Sequence, residues 1–477
     1  MNLKGKLAAA FATLLLCGAS SAVADEVGMR TSVPVGQTIT LALNTGVHAQ
    51  LDWGDGNPVE FAFTGYPQEI TVKSDTLLIT TDQTITLVYC PGNGLKTLNV
   101  KNARSLTTLI CNDNELTRMD LYNNKVVEEV NCQRNAITYI RVNNCPELIS
   151  LNCSQNPLVT LTLGSKLTKL KTLACAEMEL STLTLTYQKQ LETLWCQENN
   201  LTKLSVTSNP KLRSLVAFGN QIATLDLSKN TALKTLWVDH NELAALDLSK
   251  NLLLETVSID HNAISDFTIS KDGKDALGYF YANDNNLVLS QLPTVYSTAG
   301  GGKNLITAFN VANQGEFELV PAVSVGENID LTALLNKNAW GTTLTFTYAW
   351  KRVSDGTELV KGTDYKQVKK GVYSFLQPVG DAYIEIVCGA YPGLTLRSSV
   401  VKVMTDATPV ERVDADEIAI FVDGGALVVN TTTATRINVV KIDGRQVLKT
   451  KVSAGSYRWT LPAGVYIVNG SKVLIGK

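Results

Sequence analysis

Two histidines, His240 and His261, stand 21 residues apart, and each follows an aspartate, Asp239 and Asp260. Imidazoles beside carboxylates are ligands for a metal such as zinc, and a bound metal can activate water for hydrolysis. No nucleophile motif or paired-carboxylate arrangement accompanies them, and the only other histidine is His48. The same residues read as variation of an exposed turn, so neither a catalytic residue nor a metal or other cofactor is expected. Six cysteines, Cys90, Cys111, Cys132, Cys153, Cys175 and Cys196, also recur at matching spacing. Thiolate metal sites need ligands that converge on one point, whereas these march along an axis. Neighbouring strands lie about 4.8 Å apart, which permits a disulfide by backbone distance, but in-register side chains point in parallel and a bridge would strain that geometry. Free buried thiols serving as small apolar fillers are the expectation. Asp52 and Asp55, in the segment LDWGDG, are a pair of oxygen ligands, fewer than calcium usually gathers. A hairpin turn with Gly54 or Gly56 at positive φ accounts for the same segment.

One rhythm sets all of these spacings. Asn93, Asn114, Asn135, Asn156, Asn199, Asn220, Asn241, Asn262 and Asn285 recur almost every 21 residues, with Met178 in the one slot that lacks an asparagine. The frame around each is L-x-x-L-x-C-x-x-N-x-L-x-x-L-x-L, as in Leu106, Leu109, Cys111, Asn114, Leu116, Met119 and Leu121. The L-x-C segment alternates like a strand and points two side chains inward, while the later leucines line a return path. One such coil cannot hide its apolar face, so about ten coils stack and bury a continuous core. The asparagine stands where the chain leaves the strand, placed to pair backbone groups that the bend would otherwise bury alone. Ala217, Val238, Ile259 and Ala282 continue the cysteine slot, which favours packing over chemistry. Residues 157 to 178 carry one extra residue, so that coil is expected to be distorted or bulged.

This cysteine column within a 21-residue leucine-rich frame resembles the internalin class of bacterial surface leucine-rich-repeat proteins. The resemblance covers over two fifths of the chain and implies a curved right-handed solenoid whose concave sheet binds a partner. The flanks resemble the multidomain leucine-rich-repeat proteins exported by Bacteroidetes-type bacteria, and LDWGDG resembles a turn of polycystic-kidney-disease-type β modules. The tail from Asp443 to Lys477, with its D-G-R turn, Gly455 and L-P-A-G-V-Y, resembles the carboxy-terminal sorting domain of type IX secretion cargo. That likeness implies export machinery as a partner and attachment at the outer surface. A plain small β sandwich would show the same alternation.

The expected fold class is mainly β, a leucine-rich-repeat solenoid flanked by a β cap and by sandwich domains. Residues 1–24 carry Lys4 and Lys6, an apolar stretch and Ala22-Val23-Ala24, which together read as a secretory signal peptide. Residues 25–84 alternate like strands and read as an N-terminal cap for the open end of the solenoid at 85–296. After a Gly-rich connector, 304–408 reads as an immunoglobulin-like sandwich with Trp350 in its core and Cys388 unpaired, and 411–477 as the sorting-like domain. No segment after the signal is apolar over the roughly 20 residues that a spanning helix needs. With Lys4 and Lys6 removed, 40 basic residues face 44 acidic ones without a basic run, which disfavours nucleic acid.

Specificity then falls to the exposed sheet positions, the residue before each cysteine slot: Tyr89, Ile110, Asn131, Asn152, Ala174, Trp195, Val216, Trp237, Ser258 and Tyr281. Phe218 lies two residues beyond Val216, and Tyr279 occupies the corresponding earlier position. Trp195, Phe218 and Trp237 are thus expected to cluster within about 10 Å along the axis. They form, with Tyr279 and Tyr281, a candidate aromatic patch for an extracellular protein or a glycan. The expectation is a secreted or surface-displayed adhesion protein without enzymatic activity. A structural spacer of the cell envelope is the alternative, and a metal-assisted hydrolase is the third reading.

Overall fold

The computed structural model describes residues 24–293, 306, 308–335, 337–391, 393–405, 418–423, 426–431, 435–441, 446–453, 455–462, 464–469 and 471–475. The signal segment 1–23, the connector Ser297–Lys303 and the D-G-R turn at 443–445 lie outside these residues. The chain divides into two compact units, the first holding residues up to Asn262 together with Asp275–Tyr279, the second the remainder. No helix among the described residues is long and apolar enough to cross a membrane.

The first unit is built on a parallel ladder of three-residue strands. Leu87–Tyr89, Thr108–Ile110, Glu129–Asn131, Ser150–Asn152, Thr172–Ala174, Thr193–Trp195, Ser214–Val216, Thr235–Trp237 and Thr256–Ser258 follow one another without a register slip. The solenoid has about nine turns of about 21 residues, close to the ten expected. The central residue of each strand, for example Leu109, Leu194 or Leu236, is fully buried, as are the six column cysteines. Alternation along a strand explains this, because only every second side chain can face the core. All six thiols are free. Burial pushes Cys90, Cys132 and Cys196 up to about 12, and the other three are raised for the same reason.

At the corner after each strand the asparagine amide joins successive coils. Asn220 donates through Nδ2 to the carbonyls of Cys196, Ala217 and Phe218 at 3.1–3.2 Å, and its Oδ1 accepts the Leu201 N–H at 3.0 Å. Asn114, Asn135, Asn156, Asn199 and Asn241 repeat the pattern. A second column, not anticipated from the frame, runs along the return path. Asn124, Asn209, Asn230 and Asn251 each donate to two carbonyls of the preceding coil, while their buried Oδ1 atoms have no partner.

The coil at 157–178 keeps its strand in register, since Ser150 pairs with Thr172 as its neighbours pair elsewhere. The extra residue falls in the return path between the buried Leu163 and Leu167, at Gly164, whose φ of 72° is a conformation that other residues adopt with strain. Met178 offers no Oδ1, and the Leu158 N–H that would have used one bonds to the Asn156 carbonyl instead. The distortion is therefore local to the turn.

A strand of the preceding segment pairs with the first rung of the ladder. Thr38–Leu43 pairs with Leu87–Tyr89, and Asn93 exchanges two hydrogen bonds with the backbone of Thr40. The first rung is thus satisfied by the cap as later rungs are by a preceding coil. In the LDWGDG turn Gly54 and Gly56 have φ of 85° and 74°. Asp52 and Asp55 each accept the N–H two residues on, which gives both carboxylates a role in the turn.

The second unit is also strand-built. Gly380–Cys388 pairs with Phe346–Arg352, Thr395–Arg397 and Val401–Met404, and a separate three-stranded sheet joins Asn328–Asp330, Val372–Phe375 and Tyr365–Lys369. Trp350 is fully buried against Phe375 and Tyr373, with ring centroids 4.9 and 5.9 Å away, and Cys388 is free. Towards the end of the chain, Leu427, Val439, Tyr466 and Val468 form a core with Trp459 packed on it.

Asn220→Ala is expected to lower stability by roughly 1–3 kcal/mol, because three carbonyls and one N–H lose their shared partner. Asn230→Ala should cost less, by about 1 kcal/mol, since it also removes an orphaned acceptor. Equal urea midpoints for the two variants would contradict this assignment. The column thiols should resist iodoacetamide in the native protein and react once it is unfolded. A thiol whose folded value is raised stabilises the fold below its unfolded value, and that contribution is lost as pH climbs from about 9 through about 12. Thermal midpoints of the parent should accordingly fall across that window, and less steeply once Cys90 and Cys132 are replaced by alanine.

Candidate functional site

The ladder that buries alternate residues also fixes what it exposes. Trp195 pairs in register with Val216, and Val216 with Trp237, so the two indoles occupy one column two rungs apart. They are 45% and 42% exposed, whereas Val216 between them is 8% exposed and Ala174 is buried as well. The sequence reading held the whole column exposed. The difference lies in side-chain length, because a short side chain is shielded where longer neighbours stand on either side. With rungs about 4.8 Å apart, the indoles stand roughly 9.6 Å from one another along the axis.

Phe218 lies two residues along the chain from Val216 and is half-buried. Tyr279 is 43% exposed, and its N–H bonds to the Glu255 carbonyl, which places it one coil after Thr256–Ser258 in the column of Thr235 and Thr256. Tyr281 belongs to the second unit and is half-buried there. The structure therefore brings Trp195 and Trp237 together, sets Phe218 and Tyr279 in flanking columns of the same unit, and leaves Tyr281 outside it.

Charge on the two sides of the tryptophan column differs. On the side where strands begin stand Lys171, Glu192, Arg213, Lys234 and Glu255, with Lys171 3.8 Å from Glu192 and Lys234 2.6 Å from Glu255. On the side where strands end, the residue before each asparagine holds a left-handed backbone. Asp113, Arg134, Gln155, Glu177, Glu198, His240 and His261 have φ between 49° and 57°, and Gly92 and Gly219 fill the same position. Around the aromatic coils this lip is acidic, through Glu177, Glu198 and the adjoining Asp239 and Asp260. Sequence reading missed the lip as a surface, although its fixed offset of one residue before each asparagine was a signal.

His240 and His261 do lie side by side, with ring centroids 4.3 Å apart, and His240 Nδ1 is 3.3 Å from the Asp239 carboxylate. Among the described residues no three histidine, cysteine, aspartate or glutamate side chains gather as metal ligands would. The positive φ of both histidines accounts for their place in the repeat, since histidine is among the residues that tolerate it. A separate cleft of about 260 Å³ opens on the return face beside Tyr139 and Arg141, bordered by Thr160 and Thr162. Its Arg141 is engaged over the Tyr122 ring at 3.8 Å, and Arg118 covers the Tyr139 ring at 4.7 Å.

No protein-family model matches the chain, and no curated protein does. Solved structures similar to it include the functional domain of InlJ from Listeria monocytogenes, which includes a cysteine ladder. That likeness has 16% identity and a TM-score of 0.32, covering 70% of this chain and 94% of that one. An internalin, InlF, from Listeria monocytogenes is similar at 18% identity and a TM-score of 0.39, over 49% and 69% of the two chains. YopM, a leucine-rich effector from Yersinia pestis, is similar at 21% identity and 0.36, over 50% and 61%. These likenesses concern repeat architecture, and the assignment of a leucine-rich-repeat solenoid stands on the register and core described above.

Trp195 and Trp237 are the two exposed indoles, since Trp53 and Trp350 are buried and Trp340 and Trp459 are half-buried. Iodide should quench a distinct fraction of the native emission, and Trp195→Phe with Trp237→Phe should remove most of that fraction. An accessible fraction that survives both substitutions would place the exposed indoles elsewhere.

Proposed function

We propose that this chain is an exported, surface-displayed protein that captures an extracellular protein on the aromatic patch of its solenoid. The observation that carries the reading is the pair Trp195 and Trp237, exposed in one column of a sheet whose leucine and cysteine columns are buried. Large aromatic side chains dominate the energy of protein interfaces, and holding them on a rigid ladder lowers the ordering cost of binding. The scaffold offers no comparable exposed pair among its structural columns, which are asparagine, cysteine and leucine.

Export is supported by the signal-like first 24 residues and the sorting-like tail at 411–477, which together argue for passage to the outer surface. In this reading 25–84 caps the solenoid of 85–296, while 304–408 and the tail hold it away from the surface. Adhesion follows from display of the patch, and no turnover is assigned.

Trp195→Ala combined with Trp237→Ala should abolish retention of the ligand identified by an array of extracellular-matrix and cell-surface proteins. The far-ultraviolet spectrum and melting temperature should stay within experimental scatter of the parent. Retention that is unchanged in the double variant would favour the spacer reading instead.

A further inference from the structure

The patch has a spacing and a charge pattern, and together they select among extended ligands. Two rungs of the ladder set Trp195 and Trp237 roughly 9.6 Å apart, in register through Val216. A polyproline II helix repeats every three residues at about 3.1 Å each, so it presents the same face every ~9.3 Å. An extended β-strand presents the same face every ~6.7 Å, and two turns of an α-helix span about 10.8 Å. The polyproline repeat is the one that keeps step with the two indoles. Val216, short and 8% exposed, leaves the intervening rung low, which suits a ligand that touches the column only at alternate rungs.

Charge supplies the second, independent observation. Beyond the strand ends, Glu198 and Asp239 stand in the two coils that carry the tryptophans, with Glu177 in the coil before them and Asp260 in the coil after. Glu177 receives a hydrogen bond from Gln155 and Asp239 pairs with His240 at 3.3 Å, and among the described residues neither carboxylate forms an ion pair with a lysine or arginine. On the opposite side Lys171 pairs with Glu192 and Lys234 with Glu255, with Arg213 between the two pairs. A ligand lying along the axis therefore meets aromatic faces beneath it and a negative lip to one side.

We infer that the partner segment captured by this patch is a basic, proline-rich stretch in the polyproline II conformation. Apolar or proline residues at every third position rest on Trp195 and Trp237, and lysine or arginine side chains between them reach towards Glu198 and Asp239. Such a segment is already ordered before it binds, so little conformational entropy is lost on docking. The flat proline ring matches the indole face, and an indole N–H is a donor for the unpaired carbonyls of a polyproline II backbone. The inference rests on the reading of the aromatic patch as a protein-binding surface and narrows its ligand.

The test uses the full chain and a fluorescently labelled synthetic peptide with proline at every third position and arginines between. Three comparison probes accompany it: the same composition with proline at every second position, the same register with glutamate for arginine, and a linear β-linked glucan oligosaccharide. The first peptide should bind on the order of tenfold more tightly than each of the others. Trp195→Ala with Trp237→Ala should remove that binding, and Glu198→Lys with Asp239→Lys should weaken it by about tenfold while favouring the glutamate peptide. Equal affinity for the two proline registers, indifference to the charge reversal, or preference for the glucan overturns the inference. If an array protein is retained through Trp195 and Trp237 but no proline-rich peptide binds, the inference falls and the binding reading stands. If retention ignores both tryptophans, both fall.

Discussion

The solenoid depends on one recurring contact, the asparagine amide that holds the corner of each coil to the coil before it. At that corner the strand ends, the chain reverses, and backbone groups turn inwards where water cannot reach them. One amide serves the carbonyls of its own strand end, the carbonyl of the preceding cysteine slot, and an N–H of the preceding coil. Because each asparagine bonds to the previous coil, the corner cannot be satisfied in isolation. The contact therefore enforces stacking as well as the bend. At the first coil the same demand is met by the cap, where Asn93 bonds to Thr40.

Other features follow from that corner. The residue before the asparagine is driven into the left-handed region, at a local cost of about 1–2 kcal/mol for a residue with a side chain. Glycine would avoid that cost and appears at positions 92 and 219, yet most coils keep a polar side chain there. Those side chains bond along the axis, as Arg134 does to Asp113 and Gln155 to Glu177, so the strained position is also a line of contacts between coils. The cysteine slot inside the corner is filled by cysteine in the early coils and by Ala217, Val238, Ile259 and Ala282 in the later ones, all fully buried. Free thiols suit this slot because they are small, apolar when neutral, and held neutral by burial.

Much of this was legible from residue spacing. The asparagine and cysteine columns announce themselves because each is one residue type at one interval, and the strand register follows from that interval. The second asparagine column was not read, although Asn209, Asn230 and Asn251 keep the same 21-residue step. Its run is broken by Cys145 and Gln188, and the extra residue near Gly164 shifts the count within it. The same insertion suggested a distorted coil, but sequence cannot say where along a coil an extra residue is absorbed. Strand pairing decides that, since a slip within the sheet would turn buried leucines outwards, whereas a longer return turn costs little. For the site, the position of Trp195 and Trp237 was legible and the burial of Val216 and Ala174 was not, because exposure in a column depends on the sizes of its neighbours.

The separation between structural and exposed columns explains how such a scaffold can carry specificity without endangering its fold. Leu194, Leu215 and Leu236 lie between the exposed positions of the same strands, yet each is fully buried and belongs to the shared core. A substitution at Trp195 or Trp237 therefore changes the surface while leaving the packing of the adjacent leucine untouched. Period two along the strand sets which residues face outwards, and the rung spacing sets how far apart the exposed residues stand. Placing tryptophan at alternate rungs fixes an axial interval that no flexible loop could hold with the same precision. The acidic lip comes from a different constraint, the left-handed corner, and so varies independently of the aromatic column. On the proposed function, recognition along this face is the product of two periodic rows whose residues are chosen separately and whose spacing is imposed by one backbone.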